Sequence, residues 1–192
     1  MIAKKALTII LAVCLAMTQV ACSSSWIQTA INDVPAVLQI VQSVLSIVAL
    51  AQQKGGVDPA VASTVRQLAA QATADLQLAQ QLVADYQAAA AADKPAVLGK
   101  VRAALQAAVT DLNGILSAAH IKDANTQAAI ATGLQLALTT VVAILALVPQ
   151  SPVVAGAKQA KPVSAKPPSP QALRKAWNAS AVRYGYAQFA IR

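Results

Sequence analysis

Proline and glycine divide the first 148 residues into long segments, and this punctuation constrains the fold more than any other feature. Gly55-Gly56 is typical of a helix end, because glycine accepts left-handed backbone. Asp58-Pro59 and Asp93-Lys94-Pro95 each place an acid and a proline where a helix begins. Ala, Leu and Gln, which are good helix formers, are frequent between these breaks. The sequence therefore predicts an all-α chain.

Apolar residues recur at helical spacing in each segment. The predicted helices cover residues 26–53, 59–92, 95–119 and 124–148. We expect the first to be interrupted at Pro35, with Asp33 or Val34 as a fresh N-cap. Connections this short favour antiparallel neighbours, so residues 26–148 are predicted to form an up-down antiparallel bundle of about four helices.

The uncharged helices leave a second architecture open. No residue from Ala124 to Ala157 is charged, and the first helix is uncharged between Asp33 and Lys54. About 20 apolar residues are enough to cross a bilayer. Bulky and small side chains occupy different faces of the fourth helix, which favours a buried bundle helix. The alternative is a membrane-inserting, channel-like or holin-like protein that uses helices 34–53 and 124–148.

The composition changes after the fourth helix. Residues 149–170 are rich in Pro, Ala and Lys, which predicts an extended tail segment. Residues 171–192 are basic and carry four of the six aromatic side chains. This last segment either docks on a partner or folds back and caps the bundle. The candidate partner-binding residues are Trp177, Arg174, Lys175, Tyr184, Tyr186 and Phe189.

Charge is unevenly distributed along the chain. From Ser23 to Val148 six basic residues stand against seven aspartates, so the body is nearly neutral. After Pro149 there are seven basic residues and no acidic one, so the net charge of +8 is mainly a property of the tail. A neutral body argues against nucleic-acid binding. The tail is predicted to contact an anionic polymer, anionic lipid headgroups or a partner protein, which would be an envelope protein if the chain is exported.

The sequence offers little catalytic chemistry. His120 is the only histidine and lies in a predicted turn, without a cysteine or second histidine to share a metal ion. The seven aspartates are scattered, and Asp58, Asp93 and Asp123 are explained as helix caps. We therefore expect no catalytic residues, no metal and no cofactor, and a non-enzymatic role.

The N-terminus has the pattern of an export signal. Lys4 and Lys5 precede an uncharged run from Ala6 to Met17, and small residues follow. Val20-Ala21-Cys22 resembles the lipobox of bacterial lipoproteins, although Gln19 stands where that class prefers Leu. The resemblance covers residues 1–22 alone. It implies a signal peptide at 1–21 and an acylated Cys22 that begins the mature chain, followed by a tether at 22–25.

The resemblance also implies a location. A diacylated Cys22 would hold the protein on membrane lipid, since two acyl chains give stable anchoring. Ser23 after the cysteine implies the outer membrane of a diderm bacterium, facing the periplasm. Cys14 would leave with the signal, so the mature chain would have no thiol. The alternatives are an ordinary cleaved signal and an uncleaved anchor. The predicted function is a non-enzymatic envelope lipoprotein that serves as a helical interaction or structural module.

Overall fold

The computed structural model describes the backbone of residues 2–149 and 167–192, and the side chains of these ranges from Ser25 onward. Most of the predicted extended segment 149–170 therefore lies outside the described residues. The chain forms α1 (Ile2–Gln53), α2 (Pro59–Ala88), α3 (Lys94–Ala118), α4 (Ala124–Leu147) and α5 (Pro170–Arg183), followed by a 3₁₀ turn at Ala187–Phe189. The described ranges contain no strand, which confirms the all-α prediction.

Helices α1 to α4 form an up-down antiparallel bundle, as predicted. Each packs against the next in the chain, and α4 closes the arrangement by packing against α1. Among the described residues, the backbones of α1 and α3, and those of α2 and α4, do not come close together, so the four helices occupy the corners of a square. The short C-terminal helix α5 lies outside this square, against α1 and α4.

The core follows a heptad pattern, in which buried residues alternate between spacings of three and four. On α2 these residues are Ala62, Val65, Ala69, Ala72, Leu76, Ala79, Val83 and Tyr86. On α3 they are Leu98, Val101, Leu105, Ala108, Leu112 and Ile115. Alanine at half of the α2 positions lets the backbones of α2 and α3 approach closely, and this pair has the most extensive contact in the bundle.

The helix ends agree in part with the predicted punctuation. Gly55 has φ 72°, and Gly55 and Gly56 donate to the carbonyls of Gln52 and Ala51 at 3.0 and 2.9 Å, which is a Schellman motif. Asp58 accepts from the Ala60 amide at 2.7 Å and so caps α2. Asp93 makes no side-chain capping bond, so its predicted capping role is wrong.

The predicted interruption at Pro35 is also wrong, because α1 runs through this residue. Proline cannot donate to the carbonyl four residues earlier, which belongs to Ile31. Ile31 lies on the exposed side of α1, with 41% of the residue accessible to solvent. Val34 and Ala36 are buried on either side of the proline, and this packing favours a continuous helix. Residues 22–25, the predicted tether of the processed chain, lie within α1 of the full chain.

Two described helical stretches, Ser25–Gln53 and Ala124–Leu147, are long and apolar enough to cross a membrane. Half of the first stretch's most apolar window is buried in the structure, and 44% of the second's. Core helices of soluble bundles have the same length and composition. The apolar helix near the N-terminus is compatible with a signal sequence or a membrane span.

Candidate functional site

The C-terminal segment is the most distinctive feature built onto the bundle, and it begins with a well-capped helix. Ser169 accepts from the Ala172 amide at 3.3 Å, and Pro170 occupies the first turn. At the other end Gly185 has φ 84°, and the Tyr186 amide donates to the Ala181 carbonyl at 2.7 Å. This second Schellman motif ends α5 and reverses the chain toward α4.

Trp177 fixes α5 on the bundle. Its side chain is 0% exposed, and its ring lies between α1 and α4, beside Val44 and Gly133. A Cβ atom at Gly133 would lie 2.6 Å from the Trp177 ring and 2.7 Å from Val44. Only glycine leaves room for the indole there. Of the two alternatives for residues 171–192, the structure has the segment folded back on the bundle.

Side-chain hydrogen bonds then hold the last residues against α5. The Trp177 indole N–H donates to the Phe189 carbonyl at 3.0 Å. Asn178 donates to the Ile191 carbonyl at 2.9 Å and accepts from the Ile191 amide at 2.8 Å. Asn178 thus pairs with the backbone as a neighbouring strand residue would.

A short hydrogen-bonded chain ties this segment to the start of α4. The Thr126 hydroxyl donates to Asp123 at 2.5 Å, and its oxygen lies 2.5 Å from the Tyr186 hydroxyl. Because Thr126 has one hydroxyl proton, Tyr186 is the donor in the second bond. The hydrogen bonds from the Thr126 side chain and amide hold the pKa of Asp123 below its ordinary value, with a smaller contribution from Lys54.

The predicted partner-binding residues divide into buried and accessible groups. The prediction that Trp177 binds a partner at the surface is wrong, because its side chain is fully buried in the bundle. Tyr184, Tyr186 and Phe189 are half-buried and pack against the core, with the Tyr186 and Phe189 ring centroids 6.2 Å apart. Arg174 is half-buried and Lys175 is exposed. Cys22 lies on α1, and its side chain is outside the described part of the chain.

The outer face of α5 is open to solvent and basic. A shallow depression of about 630 Å³ is lined by Gln171, Arg174, Lys175, Asn178, Ala179 and Val182. Val182 is 62% exposed, the highest value among the large apolar residues exposed in the described ranges. Arg183 is also exposed, and its guanidinium lies 5.7 Å from the centroid of the Tyr184 ring. This face joins cations to an exposed apolar side chain.

Two acidic features were missed by the sequence analysis. Burial, together with the charge of Asp75 and a hydrogen bond to it, raises the pKa of Asp111. These two aspartates lie on α2 and α3, roughly equidistant from the intervening turn. Antiparallel pairing of the two helices, which the sequence predicts, therefore indicates that they are close together. The described residues hold no group of three or more His, Cys, Asp or Glu side chains that could bind a metal ion.

The second feature is a carboxyl group in the bundle core. Asp33 is 3% exposed and continues the heptad spacing of Trp26, Ala30, Val37 and Ile40 on α1. Burial raises the pKa of Asp33 from 3.8 to about 6. The Trp26 indole nitrogen, seven residues earlier on the same stripe, is buried without a hydrogen-bond acceptor in this structure. The heptad spacing alone was a signal for the burial of Asp33.

Comparison with known proteins found no matching family model, curated protein or solved structure.

Proposed function

We propose that this protein is a non-enzymatic envelope lipoprotein, in which an acylated Cys22 holds a helical interaction or structural module on the membrane. The observation that carries the proposal is Val20-Ala21-Cys22, which resembles a lipobox and follows the uncharged run from Ala6 to Met17. The N-terminal apolar helix is compatible with a signal sequence, which supports the proposal.

The proposal of a non-enzymatic role rests on how the polar groups are used. Asp58 and Asp123 cap helices, and the hydroxyl of Thr126 is engaged by Asp123 and Tyr186. Asn178 is engaged by the backbone of Ile191. These groups stabilise the fold. The solvent-exposed groups of the C-terminal segment are cations and an apolar side chain, which suit a binding surface.

Metabolic labelling with a clickable fatty acid tests the anchor. We expect the label on the wild-type protein and none on a Cys22→Ser variant. The intact mass of the protein extracted from membranes should show loss of residues 1–21 together with the added acyl groups. An unlabelled wild-type protein, or a label that survives Cys22→Ser, would overturn the proposal.

A second candidate is a membrane-inserting helical protein, favoured by the proximity of the two apolar stretches. Ser25–Gln53 and Ala124–Leu147 are neighbours in the bundle and pack against each other. Two observations weigh against it: Asp33 lies within the first stretch, and α5 covers part of both helices. Carbonate extraction of a Cys22→Ser variant with its signal cleaved separates the candidates. Release from membranes supports the bundle, and retention supports insertion.

A further inference from the structure

The helices α1, α4 and α5 form one flank of the bundle and carry no exposed acidic side chain in the described ranges, although the exposed Asp123 lies just before α4. Asp33 is the only acidic residue of α1, and it is buried. No acidic residue follows Asp123, so α4 and α5 contain none. Asp123 itself precedes α4 and is held by Thr126. The aspartates that lie within helices on the other flank are Asp75, Asp85 and Asp111 of α2 and α3.

The cations of this flank lie on and after α5. Lys175, Arg183 and Arg192 are exposed and Arg174 is half-buried. None of the four has an ion-pair partner among the described residues. The Nε atom of Arg174 is buried without a hydrogen-bond acceptor, and Arg174 lines the shallow depression on α5. The positive charge is therefore available to an external anion.

The exposed side chain of Val182, which lies among these cations, favours a lipid surface over a soluble polymer as the anionic partner. Val182 lies between Lys175 and Arg183 along α5 and lines the same depression. Val182 is 62% exposed, and a soluble anionic polymer has no apolar region in which this side chain could be buried. At a bilayer surface, by contrast, an apolar side chain enters the boundary between headgroups and acyl chains while neighbouring Lys and Arg side chains reach the headgroups.

The packing of α5 places its cations on the same flank as α1. Trp177 packs beside Val44 and Gly133, and Tyr186 reaches Thr126 at the start of α4. Helix α5 therefore runs antiparallel to α4 and alongside α1 in the same direction. Since α1 also contains Cys22, a bundle lying along the membrane on this flank would bring the anchor and the α5 cations to one surface.

From these observations we propose that the outer face of α5, which carries Lys175, Val182 and Arg183, together with Arg192 after it, binds the anionic headgroups of a phospholipid bilayer. The proposal deepens the proposed function by naming the partner of the C-terminal segment. It does not depend on acylation, because the binding surface is formed by residues 170–192 alone.

Vesicle binding tests the proposal with the chain from residue 22 carrying Cys22→Ser, which retains residues 22–53 of α1 and all of α2 to α5. We expect this protein to sediment with vesicles of phosphatidylcholine and phosphatidylglycerol at low salt, and not with phosphatidylcholine alone. Binding should weaken as salt rises, because exposed charges are screened. Each Lys or Arg near an anionic surface contributes about 1 kcal/mol, which corresponds to about fivefold in partitioning.

Two triple variants with the same loss of charge separate this face from net charge. Lys175→Gln, Arg183→Gln and Arg192→Gln together should lower partitioning by on the order of 100-fold. The control replaces Arg66, Lys94 and Lys100 by Gln; these residues lie on α2 and α3, which do not pack against α5 in the described ranges. The control should lower partitioning by less than about fivefold. Far-ultraviolet circular dichroism should show that both variants keep the helical fold.

Three results would overturn the proposal: equal loss in the two triple variants, no binding of the parent protein to anionic vesicles, or binding to a soluble polyanion with none to vesicles. None of these bears on whether Cys22 is acylated, because the tested chain lacks that cysteine. Fatty-acid labelling can fail while vesicle binding succeeds, and the reverse also holds. The two proposals are therefore refuted by different experiments.

Discussion

Replacing Asp33 by Asn should change how the stability of the bundle depends on pH. Asp33 is 3% exposed in the core, and burial raises its pKa from 3.8 to about 6. The folded state therefore binds the proton more tightly than the unfolded state does. Between about pH 4 and pH 6 the unfolded chain loses this proton first, so the free energy of unfolding falls as the pH rises. Above about pH 6 both states are ionised and this contribution stays constant.

The size of the effect follows from the same values. The interval from 3.8 to about 6, at about 1.4 kcal/mol for each pH unit, corresponds to about 3 kcal/mol of stability lost on ionisation. Asp33→Asn keeps the shape of the side chain and removes its charge. The difference in free energy of unfolding between variant and wild type should therefore grow in favour of the variant by about 3 kcal/mol across this range.

Urea unfolding at a series of pH values, followed by far-ultraviolet circular dichroism, measures this difference. Subtracting the two curves removes the contributions of the remaining aspartates, including Asp111 and Asp123. A matched control is Asp85→Asn, which removes one carboxylate from the solvent-exposed face of α2. If the stability difference between wild type and Asp33→Asn is the same at every pH, Asp33 is not held in an apolar core and the reasoning is wrong.

Further predictions concern the attachment of α5. Gly133→Ala should lower the melting temperature, because its Cβ would lie 2.6 Å from the Trp177 ring, and overpacking typically costs about 1–3 kcal/mol. Gly99→Ala, whose Cβ meets nothing within 4 Å in the exposed part of α3, should instead stabilise the protein by about 0.5–1 kcal/mol. Asn178→Ala removes both hydrogen bonds to the terminal backbone, so limited proteolysis should cut the last residues faster while the bundle stays protected. Gly185→Ala places a side chain at φ 84° and should cost about 1–2 kcal/mol in thermal unfolding, whereas unchanged stability would argue against the Schellman motif.

The bundle itself was predictable because its signals are local. Glycine and proline mark the helix ends, and the apolar spacing marks the buried faces. Pro35 misled the prediction because the cost of one missing hydrogen bond depends on its surroundings: the carbonyl that it leaves unpaired belongs to the exposed residue Ile31. The packing of Val34 and Ala36 outweighs the local preference.

The candidate surface was predictable only in its composition. The sequence places Trp177 in a basic, aromatic segment, but its burial depends on Gly133, which is 44 residues away and packs from another helix. Likewise, the absence of acidic residues after Asp123 is visible in the sequence. That this absence forms one flank of the molecule depends on α1 and α4 being neighbours, with α5 lying on both.

The continuity of α1 has a consequence for the proposed processing. Cleavage before Cys22 would convert the interior of a 52-residue helix into a helix start. The residues at the new start are Ser23, Ser24 and Ser25, and serine is among the best N-terminal caps. The free amide groups and the positive end of the helix dipole would then sit beside the lipid phosphates. Because the helix would continue up to Cys22, no flexible tether would separate the bundle from the acyl chains. The tilt of the whole molecule relative to the membrane would then decide which flank meets the bilayer.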